Sequence, residues 1–397
     1  MLNELKKFTS KLYIKILILV VIIVSIVVSV APIKSFYAMK SGKTNSVEGK
    51  AAIPLLKERY ENSKGILTID KLNKALKYYK SKSDADTAYL ETAIKYPGIL
   101  QLMDAAYVDD YTKESAIFHK LKNMNDFYTR NIKLITKNLN HSENTYEPWE
   151  KNIILEKAKT ISKPFNVEFN KHWEYIYTSF MICFMLIAIS SIVIGSRLFS
   201  YEKDKNMDIL LVSFGDNSLI KIGRNKIKAL LIFLTVELVI SVTIISIIMF
   251  LNTGINAWNS QIQIKYFTSI YNLTFGQAYL LIIFTGWISI LAIGMFTATL
   301  NAFTQKSYLT LLLGILITFI PMIVVRLNVF PNTITKFFNM QPINAFSIIE
   351  NLKSLKIFSF LFFNTLTMTA IIINSIIILG ICTFISPRLF VNRIKKV

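Results

Sequence analysis

The chain has 397 residues, of which 53% are hydrophobic and 18% charged, with a mean hydropathy of +0.44 and a net charge of +20. The apolar residues fall in blocks, which excludes an ordinary soluble domain. The basic residues cluster beside those blocks rather than on a separate face, which argues against nucleic acid as the partner. The two cysteines, Cys183 and Cys382, both sit inside apolar blocks, so neither a disulfide framework nor redox chemistry is expected.

A bilayer core of about 30 Å takes roughly 20 apolar residues per helix. Six stretches qualify: 16–33, 173–198, 229–252, 275–304, 308–325 and 358–385. The first is longer than the apolar run of a signal peptide, and no small-x-small site follows Val30, so a retained span is expected. Cytoplasmic segments carry the excess of Lys and Arg. Four basic residues precede the first span, seven lie between the second and third, one between the fourth and fifth, and four in the tail. The two short segments on the other side hold five. The expected fold is therefore an all-α polytopic membrane protein with six transmembrane helices and both termini cytoplasmic. It divides into residues 1–33 (tail and first span), 34–172 (a helical extracytoplasmic domain) and 173–397 (a five-helix transmembrane domain). Lipid is the partner that the basic flanks fit.

In chain order, a polar tether, MKSGKTNSVEGK, opens the domain. Thr68 then caps a helix whose Leu72, Ala75, Leu76 and Tyr79 share one face. Ser83-Asp84 opens a second helix, stopped by Pro97-Gly98. A third pattern runs from Ile117 to Ile135, and a fourth starts at Glu147-Pro148. At about 140 residues the domain can bury its own core. Its many tyrosines read as the edge of that core, with a ligand surface as the second reading. His119 and His141 lack metal-ligand spacing and read as surface residues.

Glu237 is the acid deepest in any span, roughly 13 Å beyond Lys228 at 1.5 Å per residue. Ionised there it costs about 2.5 kcal/mol or more unless paired or protonated. It is either a pathway residue or an interhelical tie to hydroxyls such as Thr235, Thr297 or Thr299. Thr297 in the fourth span and Asn364 in the sixth are the other candidate pathway residues, with packing as the competing reading. The aromatic segment before the fourth span should lie along the outer interface. The stretch 327–357, with Pro331 and Pro342 among apolar residues, reads as a re-entrant or interfacial helical hairpin. No phosphate loop, HExxH or GxSxG is present, so no catalytic set and no metal site are expected.

Between the second and third spans, the connector 199–228 holds an apolar element, MDILLVSF, where a solvated loop needs none. The stretch IGSRLFSYEKDKNMDILLVSFGDNSLIKIGRNKIKA, following a span and a large outer domain, resembles the permease subunits of ABC transporters of the type-2 exporter class. The resemblance covers about residues 170–397; the enlarged first outer loop departs from the minimal plan of that class. It implies a membrane permease with no ATPase site of its own. A separate ABC ATPase would bring ATP and Mg, and a second permease half, identical or not, would complete the assembly. The short helix around Met207, Ile209, Leu210, Leu211, Phe214 and Gly215 would seat in a cleft of the ATPase, with Glu202 and Asp204 setting register at its rim. A peptide, drug or lipid-like substrate would move outward across what the Lys-, Asn- and Ile-heavy composition points to as a bacterial cytoplasmic membrane. The alternative is a membrane-anchored sensor or scaffold whose outer helical domain binds a ligand.

Overall fold

The computed structural model describes residues 6, 10–39, 46–82, 84–108, 117–141, 146–204, 213–327, 329–360 and 363–395. Among these residues, six helices are long and apolar enough to cross a membrane: Leu12–Lys34, Lys171–Gly195, Asp216–Thr253, Phe275–Thr304, Ser307–Leu327 and Thr367–Ile394. The protein is a multi-pass, predominantly helical membrane protein. The second and fourth spans form the centre, with 61% and 67% of their apolar windows buried against 22–33% for the other four. Small residues permit this. Ser191 and Gly195 on the second span face Gly294 and Ala298 on the fourth, a small-xxx-small pattern on both sides of one crossing.

The third and sixth spans differ most from the hydropathy reading, the sixth also running on to Ile394. The third span starts at Asp216, so the basic run Lys221–Lys228 is helical, and the helix of 38 residues is about 57 Å long, well beyond a bilayer core. The sixth span starts at Thr367. Residues Ile357–Phe360 and Phe363–Leu366, expected inside it, form an antiparallel hairpin pairing Ile357 with Leu366 and Phe360 with Phe363. The rings of that last pair stack at 5.6 Å. An apolar run rich in Phe satisfies a strand as well as a helix, and hydropathy alone cannot separate them.

The large domain is mainly helical. Thr68 Oγ1 accepts from the Lys71 N–H at 3.2 Å and Asp84 Oδ2 from the Thr87 N–H at 2.9 Å, starting helices Ile69–Lys80 and Ala85–Lys95. Pro148 takes the first position of Pro148–Lys159, where Glu147 and Glu150 form a reciprocal capping box. The third pattern is broken into Ile117–Lys120 and Phe127–His141. Between them Asn123 Oδ1 accepts from the Asn125 N–H at 3.1 Å, a local bond that competes with coiling, and Asn73 of helix Ile69–Lys80 accepts from the Met124 N–H at 2.8 Å. Helices Ala52–Tyr60 and Ile99–Tyr107 complete the domain. A two-residue clasp, Gly65–Ile66 with Asn166–Val167, closes its ends together. Tyr60, Tyr79 and Tyr107 are buried, and Tyr89 and Tyr107 donate to Asp104 and Asp126, as the core-edge reading of the tyrosines expects.

The domain is seated on the bundle. The segment before the fourth span is buried beneath it: Ile262, Ile264, Tyr266 and Phe267 are all under 5% exposed. Asn131 Nδ2 donates to the Phe267 carbonyl, and Asn272 exchanges hydrogen bonds with the Ser162 N–H at 3.1 Å and the Thr160 carbonyl at 3.0 Å. Glu150, fully buried, pairs with Lys336 from the stretch after the fifth span. The packing is continuous from domain to spans.

Candidate coupling site and intramembrane polar residues

At the end of the bundle opposite the domain, the second span ends at Gly195 and the chain turns sharply through 196–200. Asn301, near the end of the fourth span, organises the turn. Its Oδ1 accepts from the Phe199 N–H at 2.7 Å and the Ser200 N–H at 2.9 Å, and its Nδ2 donates to Ser200 Oγ at 3.1 Å. One buried amide thus takes two backbone N–H groups of the turn that make no backbone hydrogen bond among the described residues.

Next comes a single turn, Tyr201–Asp204. Glu202 is 7% exposed and pairs with Lys226, which is 1% exposed. Lys226 Nζ also donates to the Leu198 carbonyl at 3.0 Å and lies 5.3 Å from the Phe390 ring centroid. This differs from the expected role of Glu202 as a solvated rim charge. The helical start of the third span carries Lys226 back under the turn, so that Glu202 faces inward. Met207, Ile209, Leu210 and Leu211 lie outside the described residues, as does the Asp204 side chain. Phe214 is 47% exposed, and Gly215 is the extended residue that begins the third span, with no atom within reach of an added Cβ. Asp216 pairs with Lys395. Both ends of the connector are therefore fastened to the bundle.

Inside the bundle, Glu237 is 2% exposed and accepts from Ser190 Oγ of the second span at 3.0 and 3.1 Å. Its partner is not one of the expected threonines: Thr235 accepts from Trp287 Nε1 at 3.0 Å, and Thr297 and Thr299 donate to carbonyls of their own helix. Thr297 packs at the second–fourth crossing, where an added Cβ on Gly195 would meet its Cβ at 3.1 Å. Asn364 is outside the spans, exposed on the hairpin, accepting from Ser359 Oγ at 2.7 Å. Glu237 and Thr297 thus stay within the bundle, each with its own hydrogen-bond partner, and Asn364 lies on the hairpin outside it. Ser25 with Ser241 at 2.8 Å and Thr299 with Ser386 at 2.7 Å add further ties between spans.

At the domain end, the stretch after the fifth span folds as helix Asn332–Asn339 and a turn, Pro342–Phe346, every residue of which is buried. The turn wedges among the second, fourth, fifth and sixth spans. Asparagine amides satisfy backbone carbonyls there: Asn344 on Phe338 at 2.7 Å, Asn351 on Asn344 at 2.8 Å and Asn374 on Met340 at 3.0 Å. Beside it is a small apolar cavity of about 150 Å3 between the fourth and fifth spans, lined by Ile293, Phe296, Thr318 and Pro342 among others.

The crossing of the second and fourth spans gives a direct test. A Cβ on Gly195 would lie 2.8 Å from the Gly294 carbonyl oxygen and 3.2 Å from the Ala298 nitrogen, backbone atoms that cannot rotate away. Gly195→Ala is expected to cost about 1–3 kcal/mol. Gly380→Ala, on an exposed helix surface with nothing within reach, should be neutral or stabilising by up to about 1 kcal/mol. Unfolding of both variants in the same detergent checks the contrast; equal effects would remove the packing argument.

Comparison of the chain with family models, with curated proteins and with solved structures finds no match. Sequence reasoning passed over Asn301 and Lys226. The available signal was a polar side chain at the margin of an apolar helix, which demands a partner.

Proposed function

We propose that this chain is the membrane-spanning permease subunit of an ATP-driven ABC exporter of a bacterial cytoplasmic membrane. In this reading the chain pairs with a second permease half and with a separate ATPase that binds ATP and Mg. It moves a peptide, drug or lipid-like substrate outward, and the large domain is extracytoplasmic. The observation that carries the reading is the base of the second-to-third connector. Asn301, the Glu202–Lys226 pair and the Asp216–Lys395 pair tie both its ends to the second, third, fourth and sixth spans. A force applied at 205–214 by a partner would therefore reach the spans directly instead of being lost in a slack loop. Exposed Phe214 beside the apolar stretch 207–212 offers that partner an anchor.

The test is co-purification of tagged full-length protein from mild detergent, wild type against Leu211→Asp with Phe214→Asp. Glu202 is left intact, because its burial would confound docking with folding. A phosphate-loop ATPase retained by the wild type and lost by the variant, at unchanged unfolding temperature, is the expected result. No such ATPase with the wild type would turn the assignment toward the sensor reading, which the seating of the domain directly on the spans favours.

A further inference from the structure

The apolar cavity of about 150 Å3 beside the 342–346 turn follows from how the fifth span packs. At Gly314 that span touches its neighbours closely: an added Cβ would lie 3.0 Å from Ile192 Cγ2 of the second span and 3.1 Å from Thr297 Cγ2 of the fourth. One to two turns further on, at Thr318 and Pro321, the cavity lies between it and Ala292 and Phe296 of the fourth. Thr318 is near the middle of the fifth span, which puts the site at the depth of the lipid hydrocarbon. Ile317, 43% exposed, belongs to the lining, so the cavity reaches the lipid-facing surface of the bundle.

The lining restricts what can bind. Among the described residues it holds no charged side chain, and an unpaired ion at this depth is costly, so a charged ligand is excluded. Ala292, Ile293 and Ile343 give alkyl walls and Phe296 an aromatic one. Thr318 differs from the other threonines of the spans. It is 8% exposed, yet its hydroxyl makes no hydrogen bond among the described residues. Thr235, Thr297, Thr299 and Thr310 each donate to the carbonyl four residues back. A hydroxyl left without a partner in hydrocarbon costs free energy that a ligand with a matching group recovers. Pro321 adds to this, because it has no N–H to offer the Ile317 carbonyl one turn back.

We propose that this cavity binds a neutral amphiphile, an alkyl or aryl body with one hydroxyl or amide group, which enters from the bilayer beside Ile317 and hydrogen-bonds Thr318. An apolar cavity of this volume takes up a molecule the size of benzene, so the occupant is a small molecule or one end of a larger one, not a whole lipid. Pro342 and Ile343 line the same space, so the occupant also touches the turn wedged among four spans. The site is formed by one chain and is independent of the exporter reading, which would stand if the site proved empty.

The experiment photolabels the full chain in phosphatidylcholine vesicles with 3-azioctanol, a photoactivatable alkanol, and maps the adducts by mass spectrometry with 1-octanol as competitor. Saturable adducts on Ala292, Ile293 or Ile343, each under 5% exposed and out of reach of lipid on the outer surface, are expected, and 1-octanol should displace them. In Thr318→Val, half-saturation should weaken by about fivefold, as the loss of one neutral hydrogen bond implies. Ala292→Leu, which fills the space, should abolish the interior adducts and leave those on exposed Leu312 and Leu316 unchanged. Adducts confined to such exposed residues in the wild type, or interior adducts that persist in Ala292→Leu, overturn the proposal. Unchanged half-saturation in Thr318→Val does the same, because the recognising group would then be idle. If Ala292→Leu fails to fold, the wild-type map and Thr318→Val decide.

Discussion

Replacing Glu202 by Gln, or Lys226 by Met, is expected to cost about 3–5 kcal/mol of stability, and replacing both by Met far less than the sum. The asymmetry follows from desolvation. Each charge has been taken out of water, and its partner, the Leu198 carbonyl and the aromatic faces beside Lys226 are among the groups that compensate. Removing one member takes the opposite charge away from the other, which stays buried. Removing both leaves an apolar contact against Phe199 and Phe390, whose ring centroids are 5.1 Å apart. Reversible unfolding of the four proteins in one detergent closes a double-mutant cycle. A coupling energy near zero, with each single change under about 1 kcal/mol, would show that the pair is solvated and that the connector has no fixed base. A large coupling supports rigid transmission from connector to spans without identifying what pushes.

Much of the architecture was legible because it rests on local chemistry. Continuous apolar runs located the six spans, Thr68 and Asp84 marked helix starts in the domain through capping, and Pro148 did so through its fixed φ at a first helical position. Long-range pairing was not legible. Glu202 and Lys226 each look solvated in sequence, one in a charged loop and the other in a basic run. Only the helical register from Asp216 brings them together. Asn131 and Phe267 are 136 positions apart, and nothing local announces that a loop domain will sit on a connector between spans. Asn364 was misplaced for a different reason: the apolar hairpin 357–366 shares its hydropathy with the helix that follows. For Glu237, the sequence correctly demanded a polar partner in a low-dielectric setting but offered several hydroxyls. Helix packing chose Ser190.

Asn301→Ala should be the second most damaging change, at about 3 kcal/mol, because it orphans more than one buried donor at once. The Phe199 and Ser200 N–H groups both end on Asn301 Oδ1, and neither makes a backbone hydrogen bond among the described residues. The same amide donates to the Ser196 carbonyl and to Thr310 Oγ1 at 3.3 Å, so it joins the second, fourth and fifth spans around one point. Ser307→Ala is the fitting comparison. It removes a hydroxyl contact with Ser200 at 2.7 Å from the same neighbourhood and should cost about 0.5–1.5 kcal/mol, the ordinary net value of one hydrogen bond. Unfolding measured side by side separates the two cases. If Asn301→Ala costs no more than Ser307→Ala, water reaches the turn and the orphaned donors find it, and the base of the connector is softer than its hydrogen bonds imply. If the larger loss is found, the turn at 196–200 is held by protein groups alone, and its position is coupled to three spans through a single side chain.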